Sequence, residues 1–529
     1  MKRVRTILIF ALAVSIIGSC RKDLRQPQWD VDLLAPILKS DLDFGNLLAD
    51  SLLQSNPDNS LTLVYNNNFY GLTLDSLVNI PDTTVANKYW LLGWSDFNPG
   101  DVIVSNLGQS TQYNISNVEL THATIRSGSV VMQIKSYVRE KIVLTYQIPI
   151  ATLNSVPFSV TVTIPARVGN NPGVVNISYP LSGYDMDLRG PQLNSYNTIY
   201  TSMSAKVDPN APDTVRVFST DTISISNAFT GIVPQYARGY FGQGTYNSSD
   251  TSSFGMFNHI VGGTLKLDSA NIKLKIENSV GVDARVKINN LTSINSRTGN
   301  SVSLNHPVIG SPVNITRAFD NNGTVTPTLY SVQLDNTNSN IKQLLENLPD
   351  KIGYSVDADI NPLGNVSGGN DFIYYGSGLR VNMDMQVPLW FASDHLALVD
   401  TLDYSIATDN QNINSGTLSL FADNGFPFEA SIQLYILNGN NAIVDSLMPV
   451  INTIDEGVVD GNYIVVQPRT TRIEIPLSAD KMSTLYNNHK IYVKTKLNTY
   501  GYPNYVKIYN YYKISLKLVG DIEYHVAPH

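Results

Sequence analysis

Cysteine is almost missing from this chain. Cys20 is the single example in 529 residues, so no disulfide can form within it. Charge is scarce as well: charged residues make up 15% of the chain, against about 25% in an average globular protein. With 43% hydrophobic residues, the acidic and basic classes of disordered protein are excluded. The bulk of Ala, Glu, Lys and Leu that a coiled coil requires is lacking. Beyond the N-terminal segment no stretch reaches the roughly 18 uninterrupted apolar residues of a transmembrane helix.

Signatures of chemistry are equally thin. The histidines are His122, His259, His306, His395, His489, His525 and His529. Only His525 and His529 lie close, and Pro528 argues against the helix that would put both rings on one face. There is no His-Glu-x-x-His, no Gly-x-Ser-x-Gly elbow and no Gly-Lys-Ser/Thr phosphate loop. Gly242-Gln243-Gly244 lacks the third glycine of a nucleotide loop and reads as a turn. Asp185 with Asp187, and Asp357 with Asp359, would share strand faces, where such pairs are usually solvated edges rather than glycosidase dyads. Asp320-Asn321-Asn322-Gly323 offers oxygen ligands but no Glu at EF-hand spacing, so a turn is expected. No catalytic residue, metal or cofactor is expected, and the chain is read as a non-enzyme.

What is present begins at the N-terminus. Met1-Lys2-Arg3-Val4-Arg5 is a basic stretch, an apolar run covers Ile7 to Ile17, and Gly18-Ser19-Cys20 follows. This is the plan of a secretory signal, with an apolar run too short to span a bilayer stably. Ile17-Gly18-Ser19-Cys20 resembles the bacterial lipobox. The resemblance implies that residues 1–19 are a signal peptide, that Cys20 is lipidated, and that 20–27 form a tether to the membrane. Two or more acyl chains hold a protein where one does not. Arg21-Lys22-Asp23 resembles the export signal of surface lipoproteins in Bacteroidota, which implies a surface-exposed chain, with a plain solvated tether as the alternative. Arg21 stands where an Asp would favour inner-membrane retention, so an outer-membrane location is expected, in either leaflet. Removing the first 19 residues, which hold three basic and no acidic ones, moves the net charge from −8 to about −11. That balance argues against a nucleic-acid partner.

Asn is abundant, with 54 in the chain, beside 35 Gly and 29 Tyr. Asn and Gly favour turns, and Val, Thr and Tyr favour strands. The expected fold is all-β, as tandem β-sandwich-like modules with a few short helices. Alternating segments such as Leu61-Thr62-Leu63-Val64-Tyr65 and Val160-Thr161-Val162-Thr163-Ile164 support it. A short helix is expected from Asp43 to Leu53. Asp208-Pro209-Asn210-Ala211-Pro212-Asp213 reads as a linker. It places an N-terminal β domain at 28–208 and two further modules at 214–385 and 386–529.

Those two modules read as a diverged duplication. Asn278-Ser279-Val280-Gly281-Val282-Asp283-Ala284 matches Asn424-Gly425-Phe426-Pro427-Phe428-Glu429-Ala430. Each is followed, in order, by an amphipathic helix (Ser339 to Leu348, and Ser478 to Tyr486) and by a strand from Lys351 or Lys490. The repeated unit resembles the strand pair of late-embryogenesis-abundant type 2 β-sandwich domains. The opening Trp29-Asp30-Val31-Asp32-Leu33-Leu34-Ala35-Pro36 resembles uncharacterised outer-membrane lipoproteins of Bacteroidota, as does Val387-Pro388-Leu389-Trp390 with the segments after it. That resemblance implies a location and no activity.

The aromatic residues are the most suggestive candidate surface. Tyr500, Tyr502, Tyr505, Tyr509, Tyr511 and Tyr512 crowd around Gly501-Tyr502-Pro503-Asn504, and Trp90 and Trp94 form a second group beside Tyr89. Such rings either pair across a hairpin to cover the core or form an exposed binding face. The expected role is a non-enzymatic binding or scaffold subunit of an envelope transport or secretion complex, with an outer-membrane protein as partner. A glycan-binding lipoprotein and a lipid carrier are the alternatives. The first needs the rings exposed, and the second needs an apolar cavity between sheets.

Overall fold

The computed structural model describes residues 29–44, 52–73, 80–91, 93, 95–257, 260–403, 413–448 and 450–526. Strands make up 64% and helices 4%, so the fold is all-β, as the composition implies. Cys20 and most of the helix expected over 43–53 lie outside the described residues. Among the described residues no helix is long and apolar enough to cross a membrane.

The chain divides into two compact units, and both are discontinuous. The terminal unit takes the residues up to Val64, Met256–Ser269, and everything from Val387. The internal unit takes Tyr65–Gly255 and Ala270–Gln386. This differs from the contiguous divisions expected at 28–208, 214–385 and 386–529. The segment read as a linker is a turn: Ala211 N–H donates to the Asp208 carbonyl, and the Asp208 carboxylate accepts from Asn210 N–H. Immediately beyond it, Thr222–Tyr240 pairs along Glu119–Ser136 in one sheet. Pro, Asn and Asp serve tight turns and linkers alike, so their composition did not tell the two apart.

In the internal unit those two long strands are the frame. Their register shifts between Thr230 and Val233, where Gly128 and Gly231 both have positive φ (129° and 61°). A Cβ on Gly128 would stand 2.6 Å from Ile232 Cδ1, so a side chain does not fit at the bend. On one side of the bend they are flanked by Thr83–Trp90 and Gly173–Pro180. On the other side lie Asp371–Tyr374 and Asp185–Asp187. Leu120, Met132, Ile134, Leu144, Tyr146 and Ile148 are buried in this part of the unit. The buried Tyr146 hydroxyl accepts from Asn227 Nδ2 at 2.7 Å.

The two segments aligned as a duplication have the same pairing scheme, one in each unit. In the internal unit Asn271–Asn278 lies between Thr328–Leu334 and Gly378–Pro388. In the terminal unit Ile413–Asn424 lies between Arg469–Leu477 and Lys513–Val526. The next strand starts at Ala284, opposite Ile360 and Ile315, or at Phe428, with Ala430 opposite Leu497 and Ile454. The helices Ile341–Glu346 and Ala479–Asn487 stand at matching positions before the strands Lys351–Ile360 and Lys490–Thr499. Ser478 caps the second helix by accepting from Lys481 N–H, as its residue type favours.

A buried asparagine closes both copies. Asn278 Oδ1 accepts from Val280 N–H, and its Nδ2 donates to the Val282 and Thr316 carbonyls, at 2.8 to 3.0 Å. Asn424 Oδ1 accepts from Phe426 N–H, and its Nδ2 donates to the Phe428 and Asp455 carbonyls at 2.9 Å. Both side chains are 0% exposed. Each amide satisfies three backbone groups, two of them on buried residues, where the chain leaves one strand for the next.

The terminal unit has two further strands that the sequence pattern did not connect to it. Trp29–Asp43 runs antiparallel to Lys513–Val526 over its whole length. Ile260–Leu267 pairs with Trp390–Asp403. Replacing Asn278 or Asn424 with Ala should each cost roughly 2–4 kcal/mol, because buried donors and acceptors lose their partners. Guanidinium unfolding followed by circular dichroism checks this. A loss below about 0.5 kcal/mol at both sites, the range of an ordinary surface change, would show that the bracket is not structural.

Candidate binding surface

Among the described residues, the carboxylates singled out in the sequence each have a neighbouring partner. His122 Nε2 meets Asp185 Oδ1 at 2.7 Å, and His395 Nδ1 meets Asp394 Oδ1 at 2.6 Å. The Arg189 guanidinium beside Asp187 holds that carboxyl below the ordinary carboxylate range. Asp357 accepts from Asn289, and Asp359 accepts from Thr245. Asp320 closes a hairpin: its carboxylate accepts from Gly323 N–H, and Asn322 and Gly323 have φ of 53° and 90°. Two positive φ values in a row are the type I′ signature. Among the described residues no group of three or more His, Cys, Asp or Glu side chains is placed to hold a metal. His259 and His529 lie outside those residues.

The tyrosines around Gly501 separate into a buried and an exposed set. Tyr512 is 3% exposed, and its ring meets Phe426 edge-on at 5.8 Å. Phe426 in turn stacks on Phe428 at 4.7 Å. The Tyr512 hydroxyl accepts from Val465 N–H at 3.0 Å, and burial pushes its pKa up to about 12. This ring is part of the core. Tyr511, the next residue back, is 55% exposed, with Tyr500 at 42% and Tyr502 at 43%. Tyr509 is half-buried and stacks on Tyr511 at 5.4 Å with 20° between the planes. Tyr505 is half-buried.

The alternation has a plain origin. Ile508 N–H donates to the Leu389 carbonyl, and Asn510 N–H donates to the Asn59 carbonyl. The backbone is therefore tied down at 508 and 510, and the rings at 509 and 511 stack beside it. Tyr512 turns inward toward Phe426.

A small hairpin that sequence reasoning missed extends this surface. Val458–Val459 pairs with Val465–Gln467, and the Val465 bond to Tyr512 ties it to the cluster. Val458 and Val466 are exposed, and Tyr463 lies 6.2 Å from Tyr500. The available signal was Asp460-Gly461-Asn462 between two Val pairs, a short-hairpin pattern. Trp90 belongs to the internal unit. It ends the strand Thr83–Trp90, is 65% exposed, and carries the Lys88 ammonium 4.4 Å from its ring centroid. Trp94 lies outside the described residues.

Among the described residues, two small apolar cavities lie in the cores. One, of about 60 Å3, is bounded by Ile115, Leu120, Ile125, Met186 and Phe229. The other, of about 50 Å3, is bounded by Phe44, Leu63, Phe257 and Phe391. Both are below half of the roughly 150 Å3 that admits a benzene.

No protein-family model and no curated protein matches the chain. Among solved structures, a candidate secreted protein from Parabacteroides distasonis is similar at 14% identity and a TM-score of 0.25. The match covers 54% of this chain and 92% of that one. A likeness this loose does not define a shared fold.

Hydroxyl-radical footprinting read by mass spectrometry should label Tyr511, Tyr502 and Trp90 in the native protein. Tyr512 and Tyr146 should react only after unfolding. Native labelling of Tyr512 at the rate of Tyr511 would refute this division of the cluster.

Proposed function

We propose that this protein is a lipid-anchored, non-enzymatic subunit of an envelope complex, held at the outer membrane through Cys20. In this reading the exposed face around Tyr500, Tyr502, Tyr511, Val458 and Val466 receives a protein partner. The observation that carries it is the mixed aromatic and aliphatic exposure of that face. Tyrosines prominent at a surface, next to aliphatic side chains that gain only by losing water, are what a protein interface core is made of. Valine offers nothing to sugar hydroxyls, so a glycan is the weaker occupant for this face. The small apolar cavities count against a lipid carrier, and the net acidic charge counts against nucleic acid.

The anchor rests on the basic start, the apolar run and the lipobox-like Ile17 to Cys20. Cells fed labelled palmitate should mark the wild-type chain and leave Cys20→Ala unlabelled and released from membranes. Equal labelling of both would remove the anchor from the proposal.

The partner face has its own test. Crosslinking of a tagged full-length chain in native membranes should yield one stoichiometric outer-membrane partner. Val466→Asp and Tyr511→Ala should each lose it, since truncating a central interface residue costs about 1–4 kcal/mol. Capture that is unchanged in both variants would overturn this use of the face.

A further inference from the structure

The internal unit carries an open cleft whose lining chemistry differs from that of the tyrosine face. It has a volume of about 640 Å3, within the roughly 300–1,000 Å3 of small-molecule sites. Its walls come from three loops at strand ends. They are the segment after Val102–Gln112, the turn at Tyr196 and Asn197, and the stretch after Thr222–Tyr240.

The lining is rich in amides and tyrosines. Gln112, Asn114, Asn117 and Gln243 border it, with the rings of Tyr196 and Tyr240. Glu119 is the one charged residue among those lining it, and neither Lys nor Arg does. Below, Tyr113, Ile115 and Asn197 separate the cleft from the 60 Å3 apolar cavity, whose lining includes the same three residues.

The walls are held rigid before any ligand arrives. Asn197 is 3% exposed and has a φ of 49°. Its Oδ1 accepts from Leu120 N–H and its Nδ2 donates to the Val118 carbonyl, both at 2.7 Å. Its own carbonyl accepts from Tyr113 N–H at 2.8 Å. Gln112 Nε2 donates to the Tyr196 carbonyl, and Gln243 Nε2 donates to the Asn361 carbonyl. Gly242 has a φ of 73°, and a Cβ there would fall 2.4 Å from the Asn117 carbonyl oxygen. Only glycine lets these two walls approach so closely. Binding to a preformed site avoids the entropy of ordering its loops.

We propose that this cleft is a binding site for a neutral oligosaccharide. Carboxamides both donate and accept, as sugar hydroxyls do, and so can pair with adjacent hydroxyls on one ring. Tyr196 is 40% exposed and offers a face for the C–H side of a pyranose. The Tyr240 hydroxyl can donate to a sugar oxygen; burial, with Asp371 and Glu119 nearby, raises its pKa. With no cationic side chain in the lining, a phosphate or an acidic sugar has no counter-charge, and Glu119 repels it. The aliphatic side chains that suit a protein interface are nearly absent from the rim.

The test uses the full-length chain in a detergent without a sugar headgroup. It is applied to an immobilised array of neutral and acidic oligosaccharides, and the strongest neutral ligand is then titrated by calorimetry. Binding to one or more neutral glycans is expected. Tyr196→Ala and Asn114→Ala, both at exposed positions, should each weaken it by about tenfold, a change of one step in the affinity scale. Tyr196→Phe should retain it, and Tyr511→Ala in the terminal unit should leave it unchanged. Three results would overturn the proposal: no neutral ligand for a protein with its native strand spectrum, capture of acidic glycans only, or affinity unaltered by Tyr196→Ala and Asn114→Ala together. The partner-capture experiment reads a different unit, so either proposal can fail without the other.

Discussion

Backbone hydrogen bonding is the constraint on which the rest of this protein depends. A chain with one cysteine has no internal disulfide to hold its loops, and almost every residue here sits in or between strands. A strand cannot satisfy its own N–H and C=O groups, as a helix does, so each needs a neighbour brought from elsewhere in the sequence. Glu119–Ser136 with Thr222–Tyr240 and Trp29–Asp43 with Lys513–Val526 are the longest of these pairings. Where strands end and cannot pair, the buried amides of Asn278, Asn424 and Asn197 take over the same duty. The abundance of Asn is thus partly explained. It supplies turns at the surface and, at a few positions, replaces a missing strand.

The same constraint shapes the surfaces that can bind. Loops tied at both ends by backbone bonds have little freedom, so side chains between the ties are presented in one arrangement. Tyr511 and Tyr512 are adjacent in sequence, yet one faces solvent and the other sits against Phe426. The cleft walls of the internal unit are set the same way, by Asn197 and by the close approach at Gly242. Two surfaces of unlike chemistry follow. One is aromatic and aliphatic, suited to a protein. The other is amide-rich and nearly uncharged, suited to hydroxyls.

Among the described residues, several carboxylates and histidines are paired with neighbouring side chains. His122 meets Asp185 across adjoining strands, and Asp187 pairs with Arg189 two residues along its own segment, a half-exposed ion pair that stabilises only modestly. Glu119 alone among charged residues lines the cleft, where it biases selection against anions.

The sequence by itself determined the class of fold and much of its local plan. Alternating apolar residues mark strands with one buried face, and that signal is local because side chains alternate across a strand. The duplicated Asn-to-Ala segment, the helix from Ser478 and the Asp320 turn were legible for the same reason, since each depends on residues within a few positions. Tertiary structure alone decided which strands meet. Backbone hydrogen bonds carry no residue identity, so nothing in Trp29–Asp43 names Lys513–Val526 as its partner, and nothing in Ile260–Leu267 names Trp390–Asp403. It also decided which tyrosines are exposed, that Asp208 to Asp213 is a turn inside a unit, and that Gln112, Tyr196 and Gln243 line one cleft. Those outcomes depend on residues far apart in the chain, and only folding brings them together.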